Sequence, residues 1–274
     1  MLKVDLHSHS YASDGTLSPS DLLLRAGKQK LDILALTDHD TTEGLEEAAD
    51  AAKTHRIKLI KGVEISCIWN KSTIHVVALG IDKSSFTLQK LLTKMYAARE
   101  QRAKKIGDKL EKQGITDAYQ KARSMCKDGL LTRTHYARML VDNNHAKDMK
   151  QSFKKYLTKG KPGFVKGKWA ELKDVIKVIQ AAGGVPIIAH PLRYKMTNTK
   201  LNTLFSEFKN FGGTGIEVVN AGNNPDKTKF LARLCNEYDF FASQGSDFHS
   251  PGGFIELGKI PPLPNSCRPI WNQL

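Results

Sequence analysis

A chain of 274 residues, 40% hydrophobic and 26% charged, has room for one barrel-sized domain or two smaller ones, and its composition excludes disordered and fibrous classes. Its longest apolar stretches, such as Val185–Ala189, are far too short to span a bilayer, and the N-terminus turns polar at once with no signal-peptide core. Four scattered cysteines (Cys67, Cys126, Cys235, Cys267) without a C-x-x-C pair suit reduced thiols in the cytoplasm, and the formal net charge of +14 leaves the placement of the basic residues to be explained.

The first 80 residues read as strand–helix units. Lys3–His9 is a short strand with Leu2, Val4 and Leu6 on one face and Asp5, His7 and His9 on the other. Ser18-Pro-Ser-Asp21 is a helix start, with Ser18 as N-cap, Pro19 at the first helical position and Asp21 closing a capping box. A second strand follows at Ile33–Thr37, a helix at Glu43–His55, and further strands at Leu59–Ile65 and Ile74–Leu79.

The period then changes. Leu88, Leu91, Leu92, Met95, Ala98, Ile106 and Leu110 mark a long amphipathic helix, and helical patterning continues to about Lys155 before a Gly160–Gly163 turn. Residues 86–170 hold 21 of the 42 Lys+Arg but only 7 of the 28 Asp+Glu, so the rest of the chain is neutral. The plain reading is a solvated, lysine-rich surface. The sharper one is an electrostatic guide for a polyanion, attached to a neutral catalytic body. Alternation resumes with helix Glu171–Ala182, strand Val185–Ala189, helix Leu201–Phe211, strand Gly215–Val219, helix Lys227–Tyr238 and strand Phe240–Gln244. This order predicts a parallel α/β barrel or sheet with an inserted helical lid.

Five segments place histidines and carboxylates at predicted strand ends: Asp5-Leu-His-Ser-His-Ser10 with Ser13-Asp-Gly15, Thr37-Asp-His-Asp40, Gly62-Val-Glu-Ile-Ser66, Ala189-His-Pro191 and Ser246-Asp-Phe-His249. His75 opens the fourth strand, where a lone histidine is more often a hydrogen-bonded core residue. Alternation puts His7 and His9 on one face, and Asp247 and His249 repeat that spacing. In parallel α/β architectures the C-terminal strand ends converge on one mouth. Nitrogen and carboxylate donors without thiolate suit Mn, Fe or Zn rather than Ca or Mg alone.

In this order the segments resemble the PHP superfamily, named for polymerase and histidinol phosphatase, over essentially the whole chain. The helical insert, Thr132-Arg-Thr-His-Tyr-Ala-Arg138, Phe153-Lys-Lys-Tyr-Leu157 and Gly245-Ser-Asp-Phe-His249 resemble the branch containing RNase AM and the 3',5'-nucleoside bisphosphate phosphatases. The resemblance implies a distorted seven-stranded (β/α) barrel, residues 1–85 and 171–274, with an inserted helical substrate-binding domain, residues 86–170. It implies two to three divalent ions, manganese foremost and iron or zinc as alternatives. One ion would be held by His7, His9, Glu64 and Asp247, a second by Asp14, His39 and His249, and a third by Glu64, His75 and His190. Many members carry histidine where this chain has Asp14, and the branch with a Ser-Asp-Gly motif carries aspartate.

The chemistry expected of such a site is hydrolysis of a phosphate ester by a metal-bridging hydroxide. Asp38 and Asp40, flanking His39, are candidates for orienting imidazole N–H groups, with loop or cap roles as the alternative. Arg133, His135 and Arg193 are candidates for gripping a second, non-reacting phosphate, with Arg99 and Arg102 as secondary candidates and solvated surface as the alternative for each arginine. The run Lys147–Lys168 holds eight lysines and one acid, interleaved with Tyr156, Phe164 and Trp169, so backbone contacts and base stacking are both available.

The resemblance implies 5'-phosphorylated RNA as substrate, in a 5'→3' exoribonuclease trimming ribosomal RNA ends, or a nucleoside 3',5'-bisphosphate in a 3'-phosphatase. A phosphatase of the histidinol-phosphatase type and a non-catalytic nucleic-acid-binding module are the alternatives. The basic insert argues against the first, and nine filled ligand positions argue against the second. Neither a membrane nor an obligate protein partner is indicated.

Overall fold

The computed structural model describes residues 2–127 and 129–274. Strand β1 (Val4–Asp5) leads to helix α1 (Pro19–Lys28), which starts where its cap dictates. The Ser18 hydroxyl accepts the Asp21 N–H at 2.9 Å and donates to the Asp21 carboxylate at 2.8 Å. Strand β2 (Ile33–Leu36), helix α2 (Leu45–His55) and strand β3 (Lys58–Trp69) follow, with β1, β2 and β3 mutually parallel in sequence order.

Strand β4 (Ser72–Leu79) departs from the all-parallel expectation. It runs antiparallel to β3 and to β6 (Val185–Ile188), its other neighbour. The cause is local. Only Asn70 and Lys71 join β3 to β4, with φ of 44° and 62°, the left-handed pair of a tight hairpin turn. Two residues cannot carry the crossover that parallel neighbours need. The N-terminal end of β4 therefore lies at the barrel end where its antiparallel neighbours β3 and β6 finish.

The insert begins with α3 (Phe86–Glu111) and continues through α4 (Ala118–Ser124), α5 (Arg133–Asp142), α6 (Met149–Ser152) and a π-helical turn over Phe153–Leu157. Helix α3 belongs to two cores. Leu88, Leu92 and Met95 pack on the barrel, whereas Ala103, Ile106 and Leu110 pack with Tyr136, Met139, Leu140 and Leu157 in a separate cluster. Burial of each large apolar side chain contributes roughly 1.5–3 kcal/mol, so the helix is tied at both ends. Tyr136 is fully buried and donates its hydroxyl to the Ala103 carbonyl at 2.7 Å.

The chain returns through β5 (Ala170–Glu171), which pairs with β3, and then α7 (Leu172–Ala181), β6, α8 (Asn198–Asn210), β7 (Gly215–Asn220), α9 (Pro225–Glu237) and β8 (Phe241–Gly245). The sheet order is β1-β2-β3-β4-β6-β7-β8. The Leu6 N–H bonds the Gln244 carbonyl at 3.0 Å and brings β8 to β1, giving a nearly closed barrel of seven mixed strands. Inside it Val4, Ile33, Ile60 and Leu79 meet Ile270 of the C-terminal turn, which floors the end opposite the mouth. Among the described residues no helix is long and apolar enough to cross a membrane.

Candidate metal centre

The site is built at the mouth, and the first histidines reach it by an irregularity. Ladder pairing of β1 with β2 ends at Asp5, and Val4 and Leu6 both face the barrel interior, so strict alternation would turn His7 outward. Instead residues 7–9 pair with the segment after β8: the His7 carbonyl takes the Asp247 N–H, and the His9 N–H bonds the Phe248 carbonyl, both at 2.9 Å. Asp5 is occupied elsewhere, accepting the backbone N–H groups of Ser246 and Gly258 at 2.8 Å each. Gly245 permits this closeness, because a Cβ there would lie 2.3 Å from the His7 Cβ. His75 arrives from the start of β4, and the reversal of that strand brings it to the same mouth. Asp40, His190 and Asp247 hold positive φ (48°, 30° and 57°), an uncommon conformation for side-chain-bearing residues that concentrates at functional sites.

Glu64 is the centre. Its Oε1 lies 2.9 Å from both His75 Nδ1 and His190 Nε2, and its Oε2 lies 2.9 Å from His39 Nδ1, 3.3 Å from His7 Nε2 and 3.4 Å from His9 Nε2. Asp247 Oδ1 stands 3.0 Å from His9 Nε2 and 3.3 Å from His7 Nε2. Asp14 Oδ1 is 3.2 Å from His249 Nε2 and 3.9 Å from His39 Nε2. Among the described residues three groups have donor atoms mutually within 4.8 Å: His7, His9, Glu64 and Asp247; His9, Asp14, His39 and His249; and His39, Glu64 and His75. His9 thus joins the second group and His39 the third, while His190 reaches the third through Glu64.

The donors fit divalent ions. Two donors about 2.1 Å from one ion, at angles of 90–110°, stand about 3.0–3.4 Å apart, the spacing found around His7, His9, Glu64 and Asp247. The buried atoms without a hydrogen-bond partner include His7 Nε2, Asp14 Oδ1, His39 Nδ1 and Glu64 Oε2, which belong to residues of these three groups. Burial opposes charge throughout; mutual attraction prevails at Glu64, His7 and His249, whereas at His39 burial prevails and lowers the pKa. His39, His7 and His75 hold Glu64 well below the usual carboxylate range, and Glu217, Glu64 and Asp247 raise His7. Against its burial, Asp14 and Asp247 raise His249 to about 9.

Glu217 is the residue the sequence reading missed. Buried on β7, it accepts from His7 Nδ1 at 2.5 Å and from the His190 backbone N–H at 2.6 Å, so its two oxygens hold two candidate ligands. The available signal was a lone acid inside the apolar run Gly215–Val219. Among the described residues neither Asp38 nor Asp40 is hydrogen-bonded to an imidazole. Asp38 takes Ser10 and Ser13, and Asp40 takes the Ser66 N–H and Arg99 Nε at 2.7 Å each. They fix the loop around His39.

A cavity of about 630 Å³ opens beside Asp14, His39 and His75, between the β3–β4 turn and the insert. Arg99, Arg102 and Arg133 line it with Lys71, Lys159, Lys166, Phe153, Phe164 and Trp169. Arg99 and Arg102 both lie over the Trp169 ring (5.1 and 5.6 Å), and Arg133 over Phe153 at 5.7 Å. Among the described residues neither Arg102 nor Arg133 has a carboxylate partner, and burial with the charges of Arg133 and Arg99 pushes Arg102 down to about 9. Two expected phosphate contacts lie elsewhere. His135 is buried beneath α5, where its Nδ1 accepts the Thr132 N–H at 3.1 Å; burial pushes its pKa down to about 4, leaving it uncharged at neutral pH. Arg193 sits outside the cavity, bonded to Asp247 and to Asn220. Tyr156 is buried in the insert core and cannot stack on a base.

Residues 5–184 match the PHP domain family. The chain is 49% identical to a 5'-3' exoribonuclease of Haemophilus influenzae over 99% of this chain and 98% of that one. It is 43% identical to a 3',5'-nucleoside bisphosphate phosphatase of Chromobacterium violaceum over 100% of this chain and 97% of that one. An amidohydrolase structure from Chromobacterium violaceum, with bound sulfate and no metal, superposes with a TM-score of 0.95 at 43% identity, covering 99% of this chain and 95% of that one.

Proposed function

The chain belongs to the PHP domain family and is a metal-dependent phosphoric ester hydrolase, and from that premise we propose that it hydrolyses 5'-phosphorylated nucleotide substrates. It acts as a 5'→3' exoribonuclease on short RNA and as a 3'-phosphatase on nucleoside 3',5'-bisphosphates. One observation carries the substrate reading: among the described residues Arg102 and Arg133 are cations without a carboxylate partner, in a cavity that abuts Asp14, His39 and His75. Desolvated guanidinium groups facing open space fit a phosphate that brings its own charge.

The two activities are one reaction. The 5'-phosphate of the first nucleotide sits against Arg102 and Arg133, and its base rests among Phe153, Phe164 and Trp169. Its 3'-phosphoryl group then faces the histidine and carboxylate cluster. Water adds to phosphorus and the 3'-oxygen leaves, taking a proton. A bisphosphate gives phosphate and a 5'-mononucleotide. RNA gives a 5'-mononucleotide and a shortened strand that again carries a 5'-phosphate, ready for the next turnover.

The ligand sets we assign are His7, His9, Glu64 and Asp247; Asp14, His39 and His249; and Glu64, His75 and His190. The thiolate-free donor set supports manganese, with iron or zinc also compatible. Bound there, clustered dications supply an activated water and neutralise the phosphoryl oxygens. Glu217 fixes the tautomer of His7, and Arg99 braces the His39 loop through Asp40. Residues 86–170 form the substrate-binding insert on a barrel of residues 1–85 and 171–274. Four buried, free cysteines support a cytoplasmic setting.

The test is manganese-reconstituted protein assayed on 5'-phosphorylated RNA, 5'-hydroxyl RNA and adenosine 3',5'-bisphosphate, with products resolved. Release of 5'-mononucleotide from the first and third substrates is expected. Equal rates on the two RNAs would sink the reading.

A further inference from the structure

Asp14 is held from the insert, and its carboxylate is divided. Oδ1 points toward His249 and His39 and has no hydrogen-bond partner. Oδ2 accepts the Thr134 hydroxyl at 2.8 Å and the Thr132 hydroxyl at a long 3.4 Å, and Arg138 donates to the Asp14 carbonyl at 2.6 Å. Thr132 is already the N-cap of α5, taking the Thr134 N–H at 3.1 Å, so the Thr134 hydroxyl makes the stronger contact. Between these threonines stands Arg133, first residue of α5 and lining of the cavity. One helical turn therefore grips a candidate ion ligand and carries the guanidinium that faces the substrate.

The division gives aspartate at position 14 a physical reason. A histidine coordinating through one nitrogen keeps only an N–H on the other, which cannot accept from a threonine hydroxyl. Aspartate has a second oxygen to give. We propose that Thr134 is a positioning residue that aims Asp14 at the ion shared with His39 and His249, and that the first turn of α5 couples this ion to occupancy of the arginine cavity. The positioning stands on the geometry alone, whereas the coupling rests on the reading of the cavity as a 5'-phosphate site. Coupling is reciprocal: whatever factor a 5'-phosphate adds to ion affinity, the ion adds to the affinity for the phosphate.

Manganese(II) binding is measured on metal-stripped wild type, Thr134→Val and Thr134→Ser, with and without AMP, a 5'-phosphate that the enzyme cannot hydrolyse at the 3' position. Loss of a support behind a metal ligand weakens binding roughly 10–100-fold. A loss of that size is expected for one ion in Thr134→Val and recovery in Thr134→Ser, with AMP tightening that ion in wild type but not in Thr134→Val. A Thr134→Val isotherm matching wild type overturns the positioning, and equal tightening by AMP in both proteins overturns the coupling. AMP that binds neither protein removes the substrate reading and the coupling with it, while ion loss in Thr134→Val still upholds the positioning. Asp14→His guards against misfolding of the valine variant: adding Thr134→Val to it should cost no further ion affinity, and an additional loss would overturn the proposal.

Discussion

Glu217 and His7 meet at 2.5 Å across the barrel, carboxylate to Nδ1, and the second Glu217 oxygen holds the His190 backbone at 2.6 Å. Replacing it by glutamine keeps the shape and removes the charge. Manganese affinity is expected to fall roughly 10–100-fold while the fold survives. Glu217→Ala leaves two buried donors unsatisfied, each at about 1–3 kcal/mol, so its melting temperature should drop as well. Manganese titration and thermal melts read both, and an unchanged titration for Glu217→Gln would refute the role.

The cavity arginines should separate by kind. Among the described residues Arg133 has no carboxylate partner, so Arg133→Ala is expected to lower kcat/KM on 5'-phosphorylated substrates by roughly 10–100-fold, with little effect on 5'-hydroxyl RNA or on stability. Arg99 is paired with the buried Asp40. Arg99→Ala strands that carboxylate, at a cost of about 3–5 kcal/mol, so its primary defect should be thermal. Parallel melts and substrate panels distinguish the two.

The ionic strength dependence distinguishes the two substrates. If an RNA strand contacts Lys71, Lys159 and Lys166 as well as the arginines, log kcat/KM against log salt should be markedly steeper for RNA than for adenosine 3',5'-bisphosphate. Equal slopes would limit binding to the first nucleotide.

Acidity should act on the metal-free protein from two sides. His249 is raised to about 9, so its contribution to stability is complete below the ordinary histidine range and is lost as pH rises through about 9. Asp14, Glu64 and Asp247 are depressed, so theirs is present above the usual carboxylate range and lost as pH falls through their lowered values. Ions compete with the proton on His249, so manganese affinity should climb from pH 6 to about 9 with measurable proton release. A flat profile would contradict this.

Gly245→Ala tests the close approach beneath His7. The added methyl would sit 2.3 Å from the His7 Cβ, so either the strand or the ligand must move. A stability loss of about 1–3 kcal/mol is expected together with a reduced manganese count, read by melting and metal analysis.

The sequence revealed most where local chemistry decides. Ser18 and Pro19 start α1, and the apolar stripe of α3 is a helix on periodicity alone. The histidine and carboxylate segments were legible as a cluster because each falls at a strand end predicted from the pattern, although Glu64 in fact lies inside the longer β3. Strand direction was harder: the β3–β4 turn is Asn70-Lys71, without the glycine that usually announces a two-residue hairpin, and so β4 read as one more parallel strand. Arg99, a secondary candidate for gripping phosphate, carried a sign of its inward pairing as well, since it falls in step with Leu88, Leu92, Met95 and Ile106 on the buried face of α3, a cation inside an apolar stripe. That His135 caps its own helix and Arg193 turns to Asp247 depends on contacts across the fold, which spacing does not encode.

Helix α3 is seated in two hydrophobic clusters at once, which leaves it unfit as a hinge. The returning stretch 158–169 is tied to it, its Val165 and Phe164 carbonyls accepting from Arg102 and Lys109 at 2.9 Å each. The tie at Val165 uses a cavity arginine, so an anion that drew Arg102 inward would compete with the Val165 carbonyl for its Nε.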